Sequence, residues 1–127
     1  MSFRVDYDNV NNCIVGRFEG EFTSKAFDDY LQEISRVAKQ YDCLRFLNDL
    51  RGAVINISVF DLSESPARTI DSTFDRRWKR AIVLNPDSLS TEKREFFETV
   101  NENRGVSVKT FNDMAEALDW LKTKQSS

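Results

Sequence analysis

Histidine is absent from the 127 residues of this sequence. Its absence removes the commonest general base and the commonest metal ligand, together with every Ser/His or Cys/His catalytic dyad. Only four glycines are present, and they form neither a P-loop nor a dinucleotide-binding fingerprint. Asp and Glu are abundant, but no pair is singled out by its spacing or by an apolar setting. We therefore expect a protein that is not an enzyme and that uses no cofactor or metal.

Cysteine, basic charge and long apolar runs are also scarce. Cys13 and Cys43 have no CxxC or zinc-ligand spacing, which predicts free, buried thiols in a reducing compartment. The net charge of −3 gives no basic field for nucleic acid. No signal-like N-terminus occurs, and no apolar run approaches the roughly 18 residues of a membrane span. We expect a cytoplasmic protein without a membrane span or a nucleic-acid partner.

The composition that remains is that of a folded domain. Hydrophobic residues make up 40% of the sequence and charged residues 31%, which is typical of globular proteins. A chain of 127 residues is close to the commonest size of a single domain. We predict one domain over residues 1–127, with residues 123–127 as a frayed tail.

Alternation of apolar and charged residues predicts an antiparallel hairpin at the start of the chain. Residues 3–8 alternate, residues 9–12 supply turn chemistry, and residues 14–22 alternate again. The spacing then becomes helical, with an apolar stripe from Phe27 to Tyr41 and a threonine and a serine before it as candidate N-caps.

Two short apolar runs, 44–47 and 81–84, predict central strands that are covered on both faces. Between them, the segment from Val59 to Trp78 has helical spacing. The remaining predicted elements are a helix over 90–104, a strand over 106–111 and a final helix that Asp113 caps.

This order of elements and four short motifs carry a resemblance to a known family that covers essentially the whole chain. The chain resembles the SpoIIAA-like branch of the STAS domains. The motifs are Phe46-Leu47-Asn48-Asp49-Leu50-Arg51-Gly52-Ala53, Phe96-Phe97-Glu98, Val108-Lys109-Thr110-Phe111 and Ala117-Leu118-Asp119-Trp120-Leu121.

The resemblance implies an α/β fold of the STAS-like (SpoIIAA-like) type. Such a fold has a mixed sheet of about five strands, with an N-terminal antiparallel hairpin followed by parallel crossovers, and about four helices. The resemblance also implies a small bacterial cytoplasmic protein. Its relatives are of two kinds, anti-sigma-factor antagonists and Sec14-type lipid carriers.

Ser58 is the first candidate site residue. In anti-sigma-factor antagonists a serine after the third strand, within Asp-Ser-Ser-Gly or Asp-Ser-Thr-Gly, is phosphorylated by a partner kinase. The resemblance places Ser58 at that position, but Ile57 replaces the aspartate and Val59-Phe60 follows in place of the glycine. These departures favour the alternative, in which Ser58 caps a helix.

Asp49 and Arg51 are candidates for the rim of a pocket. They follow the first central apolar run, and open α/β sheets bind ligands at the carboxyl ends of their strands. The alternative is a local ion pair beside a turn at Gly52, which is the commoner role of such neighbours.

An excess of aromatic residues suggests an apolar slot under the 59–78 segment. The sequence has ten phenylalanines. Burial in a filled core is the alternative and the commoner fate of aromatic stripes. The candidate lining residues are Phe60, Ile70, Phe74, Trp78, Phe96 and Phe97.

One basic cluster, Arg76-Arg77-Trp78-Lys79-Arg80, stands out against the acidic chain. It suits a phosphate or an acidic partner surface. We favour a solvated helix end that leads into the next strand, because charge runs are normally exposed.

Two functions remain open at this stage. The first is a STAS-like, protein-binding regulatory domain of the anti-sigma-factor-antagonist kind, acting as a homodimer with an unidentified protein partner. The alternative is a Sec14-like carrier or sensor of an apolar small molecule or lipid.

Overall fold

The computed structural model describes residues 2–55, 58 and 77–123. These residues form β1 (Ser2–Asp8), β2 (Cys13–Phe22), α1 (Ser24–Tyr41), β3 (Arg45–Ile55), β4 (Lys79–Val83), α2 (Thr91–Glu102), β5 (Ser107–Phe111) and α3 (Met114–Lys122).

The strands form one mixed sheet whose order across the sheet is the order along the chain. The sheet has five strands, β1-β2-β3-β4-β5. β1 and β2 are antiparallel, and the other neighbouring pairs are parallel. The mixed sheet with an N-terminal hairpin is thereby confirmed. Three helices lie among the described residues. The helix expected between Val59 and Trp78 falls almost wholly outside the described residues and stays a prediction, as does the frayed tail.

Helices cover both faces of the sheet, so successive residues of a central strand enter different core layers. We call the face covered by α1 and α2 the α1 face, and the opposite face the α3 face. Phe46 and Ile82 lie on the α1 face, while their neighbours Leu47 and Ala81 lie on the α3 face. All five residues of β4 are buried, as predicted for a strand covered on both sides.

Side-chain caps define where the predicted helices begin. The Thr23 hydroxyl accepts the N–H of Ala26 at 3.2 Å, and an Asp113 carboxylate oxygen accepts the N–H of Ala115 at 2.8 Å. The stripe of α1 is buried as expected except at its last member, Tyr41. That ring is exposed and stacks on Tyr7 with centroids 4.5 Å apart, because it lies over the edge strand β1.

β3 is longer than the sequence indicated and contains a bulge. Arg17 pairs with Asp49, but Glu19 pairs with Gly52, so β3 has one residue more than β2 over this interval. The bulge lets Leu50 and Ala53, which are out of phase in a regular strand, enter the same core layer. The predicted strand was too short because it ended before the polar residues Asn48 and Asp49, which lie inside β3.

A buried hydrogen-bond chain connects α1 to the middle of the sheet. The hydroxyl of Tyr30 donates to Oδ1 of Asn48 at 2.7 Å, and Nδ2 of Asn48 donates to the carbonyl of Ala81 at 3.2 Å. Gly16 of β2 makes room for the phenol, since a Cβ there would lie 1.8 Å from the Tyr30 oxygen. The polar side chain at the centre of β3 is satisfied in this way.

We expect Gly16→Ala to lower the free energy of unfolding by about 1–3 kcal/mol through overpacking against Tyr30. Tyr30→Phe should lower it by about 1–3 kcal/mol, because it leaves the buried Asn48 oxygen without its donor. The double variant should lose less than the sum, since the same hydroxyl is involved in both effects. Urea unfolding measures all three. Tyr41→Phe, on the exposed end of α1, is the control, and additive losses would contradict the interpretation.

Candidate functional site

The most polar part of the described structure lies where β4 ends and β3 continues past it. Arg51 donates from Nε and Nη2 to the two carboxylate oxygens of Asp49, each at 2.9 Å, and its backbone N–H adds a bond of 3.1 Å. The Arg51 side chain is 46% exposed and that of Asp49 only 11%. The Arg51 hydrogen bonds hold the pKa of Asp49 below its usual value, against the effect of burial.

A second set of hydrogen bonds fixes this region to the carboxyl ends of β4 and β5. The side-chain amide of Asn85 donates to the carbonyl of Arg51 at 2.6 Å. Arg94, in the first half of α2, donates to the carbonyl of Asn85 at 2.7 Å and to Oδ1 of Asn112 at 2.6 Å. Side chains thereby connect β3 to the segments that follow β4 and β5. The position of Arg51 is set by contacts on both sides.

Beyond this point the described residues give β3 a neighbouring strand on one side only. We call residues Arg51–Ile55 the β3 projection. Its residues from Gly52 onward pair with β2, whereas β4 stops at Val83, opposite Asp49. Within the described chain, no backbone group pairs with the other side of the projection after the Asn85 contact. Val54 is 66% exposed there, so the projection offers a free strand edge with an apolar side chain.

Ser58 lies three positions beyond the projection and is exposed. Residues 59–76, which follow it, are outside the described ranges. Neither the phosphorylation site nor the helix cap predicted from the sequence is therefore tested. Both interpretations stay open.

The proposed apolar slot is only partly within the described residues. Phe60, Ile70 and Phe74 lie outside them. Trp78 and Phe97 are buried in the core on the α1 face, where the ring of Trp78 lies 4.8 Å from that of Phe46. Phe96 is exposed on the outer side of α2. The described members of the set therefore do not share one location, and the slot itself stays a prediction.

The interpretation of the basic cluster as a solvated helix end was wrong for its last residues. Arg77 is exposed, but Lys79 and Arg80 are buried residues of β4 that lie on opposite faces. Burial lowers the pKa of Arg80 to about 10, an effect that Tyr30 partly opposes. Charged residues in a strand core are uncommon, which is why a run of them indicated an exposed segment.

Lys79 stabilises the end of the last helix. Its ammonium donates to the carbonyl of Trp120, and to the carbonyl and the hydroxyl of Thr123 at 2.9 and 2.6 Å. It also lies 4.4 Å from the centre of the Trp120 ring. A cation is thus placed at the negative end of α3, where the last carbonyls lack helical partners.

The two thiols are free and buried, as the sequence indicated. Burial, with smaller effects from Asp8 and Cys43, raises the pKa of Cys13 to about 11, so the thiol stays protonated near neutrality. Within residues 2–55, 58 and 77–123, no three His, Cys, Asp or Glu side chains are grouped as metal ligands would be.

None of the described helices has the length and apolar character needed to cross a membrane.

Sequence reasoning identified Asp49 and Arg51 but missed the residues that hold them. Asn85, Arg94 and Asn112 belong to three different segments, and only the folded chain brings them together. The available signal was an asparagine directly after or soon after each of two strands, a position from which a side chain reaches neighbouring strand ends.

We expect Lys79→Met to lower the free energy of unfolding by about 1–3 kcal/mol, because the Thr123 carbonyl loses its donor and the Trp120 carbonyl loses one of its donors. The emission of Trp120 should change as well, since the cation leaves its ring. Urea unfolding followed by fluorescence measures both effects. Lys122→Met, at an exposed lysine of the same helix, is the control. Equal losses in the two variants would contradict the capping role.

We expect the Asp49–Arg51 pair to stabilise the fold at neutral pH and to lose this effect in acid. The folded-state pKa of Asp49 lies below the ordinary 3.8, so its contribution is complete above that value and is lost as pH falls through the folded pKa. Asp49→Asn should therefore cost more stability at pH 7 than at pH 3. The difference should be about 1 kcal/mol or less, since Arg51 is nearly half exposed. A pH-independent difference in urea unfolding would contradict this.

Comparison with known proteins adds a fold likeness. No protein-family model and no curated protein matches the sequence. One similar solved structure is an uncharacterized DUF3478-family protein with a SpoIIAA-like fold from Shewanella loihica, with a TM-score of 0.59, 15% identity, and coverage of 94% of this chain and 92% of that one. Another is the anti-sigma factor antagonist SpoIIAA in its unphosphorylated form, with a TM-score of 0.55, 12% identity, and coverage of 95% and 98%. The resemblance found in the sequence is confirmed at the level of architecture, and the chain has a SpoIIAA-like fold.

Proposed function

We propose that this chain is a non-enzymatic regulatory domain that binds a partner protein through the β3 projection and the adjoining Asp49–Arg51 pair. The likeness to an anti-sigma factor antagonist supports the regulatory class. The observation that carries the proposal is the edge of the projection, which no described strand pairs with, beside a half-exposed arginine that Asp49 holds in place.

The chemistry of this surface suits an extended segment of another protein. An unpaired strand edge binds such a segment through main-chain hydrogen bonds, and neighbouring side chains supply the selectivity. Val54 offers apolar area in the middle of the edge. The backbone of the projection is already held in strand geometry by its pairing with β2. It therefore loses little conformational entropy when a partner binds.

Arg51 supplies the charged contact. Its Nε and Nη2 are used by Asp49, which fixes the plane of the guanidinium, and within the described chain no hydrogen bond is made by Nη1. Arginine held in one orientation is frequent among the residues that dominate protein interfaces. A partner with a carboxylate or a carbonyl oxygen near the end of its bound segment fits this position.

Phosphorylation of Ser58 and the apolar slot both stay predictions from the sequence. Ser58 is exposed and follows the projection, so a phosphate there would add negative charge to the chain leaving this surface. A Sec14-like apolar carrier remains the alternative function. No contact of the described residues favours it over the protein-binding role.

Photo-crosslinking in the native host tests the proposal. A photoreactive amino acid in place of Val54 should give an adduct with one defined protein. The same substitution at Val10, an even more exposed valine in the β1–β2 turn, should not give that adduct. Arg51→Glu should abolish the adduct from position 54 while leaving the melting temperature within a few degrees. Adducts that are the same from both positions, or that persist in the Arg51 variant, would overturn the proposal.

A further inference from the structure

The sheet has two outer edges, and they differ in how well they are protected against another strand. β5 has five residues with Lys109 at its centre, and a short edge with a central lysine resists pairing. β1 is seven residues long and pairs with β2 at every position without a bulge. It contains no proline, glycine or lysine. β1 is therefore the edge that is open to a further strand.

Alternate residues of an edge strand direct their N–H and C=O groups away from the sheet. Within the described chain, no residue pairs with the outer side of β1. Its side-chain contacts are local to the hairpin or under α1, and they include an exposed ion pair of 3.1 Å between Arg4 and Asp6 within the strand itself. This row of backbone groups needs either water or a partner strand.

The residue types of β1 are arranged symmetrically about Val5, with a charged residue next to it and an aromatic residue beyond that on each side. Arg4 precedes Val5 and Asp6 follows it, and both project from the open side of the hairpin with side chains 78% and 67% exposed. One position further out on each side stands an aromatic residue, Phe3 and Tyr7, on the α1 face. A strand with this pattern is complementary to a second copy of itself that runs in the opposite direction.

We propose that β1 pairs antiparallel with β1 of a second copy of this chain, about a twofold axis at Val5, so that two five-stranded sheets become one. In this register Arg4 lies directly opposite the partner's Asp6, and Asp6 lies opposite the partner's Arg4. Directly opposed residues of antiparallel strands have Cβ atoms about 4.5–5.5 Å apart, which brings the two charges into contact. The contact is made twice because of the symmetry.

The α1 face supports the same register. Phe3 lies opposite the partner's Tyr7, which forms an aromatic cross-strand pair on each side of the axis. Phe3 is already packed edge-on against Tyr30 at 5.6 Å, and Tyr7 is stacked on Tyr41 at 4.5 Å. The exposed ring of Tyr41 thereby continues an aromatic layer that crosses from one subunit to the other.

Other registers are less favourable. A shift of the axis to Arg4 opposes Arg4 to the partner's Arg4. A shift to Asp6 opposes two aspartates, although it also places Arg4 opposite the partner's Asp8. A slip that pairs residues of unlike parity moves the aromatic side chains onto the polar face. Only the axis at Val5 gives charge attraction without a like-charge pair and keeps Phe3 opposite Tyr7, which favours a second copy in this register.

Charge exchange tests the interface directly, because both side chains are exposed and their replacement leaves the core intact. Sedimentation equilibrium of the full chain should show a dimer. Arg4→Asp alone and Asp6→Arg alone should each raise the dimer dissociation constant by about tenfold, since two attractions become two repulsions. The double variant, Arg4→Asp with Asp6→Arg, should restore the original affinity. An equimolar mixture of the two single variants should form a heterodimer, because every opposed pair is again of opposite charge.

Lys93→Asp is the matched control. It reverses a charge at an exposed position of α2, far from the edge strand β1, and should leave association unchanged. Equal melting temperatures of the variants establish that they fold. A chain that stays monomeric at high concentration would overturn the proposal. So would a dimer that is insensitive to both single changes, or single variants that neither the double change nor the mixture rescues.

Discussion

The hydrogen bond between the Tyr30 hydroxyl and Asn48 is the interaction on which the arrangement of this domain depends. It lies inside the core, where an unsatisfied amide would cost about 1–3 kcal/mol, so α1 must stay at a fixed height over β3. That height is attainable because Gly16 leaves space for the phenol. Asn48 in turn holds β4 through the carbonyl of Ala81, so one side chain sets the spacing of three elements.

The position of the proposed interaction surface follows from the same constraint. With β3 fixed at Asn48, the bulge begins two residues later and directs Arg51 to the rim, where Asp49 and Asn85 hold it. β4 ends at the level of Asp49, so the projection emerges from a part of the sheet where β3 is paired with β2 on one side and β4 on the other. A recognition surface on such a base needs little reorganisation when a partner binds.

Much of the fold could be predicted from the sequence because apolar side chains repeat with a period of two in the hairpin and of three to four in the helices. The errors arose where polar residues lie in the core. Asn48 resembled the end of a strand, and Lys79 and Arg80 resembled an exposed helix end. Local patterns do not reveal that a distant carbonyl accepts from Asn48 or that a helix terminus accepts from Lys79. The site was found only in part for the same reason. Asp49 and Arg51 are neighbours in sequence, whereas Asn85 lies 34 residues from its partner.

The two tryptophans of this chain lie in different layers of the domain. Trp78 packs against Phe46 on the α1 face, and Trp120 lies on the α3 face beneath an ammonium group. Their indole rings therefore have unlike surroundings, one against a buried phenylalanine and one beside a cation, and we expect their emission to differ in wavelength and in quenching. Replacing either with phenylalanine would leave an optical reporter for a single layer, with which the order in which the two layers assemble can be followed in real time.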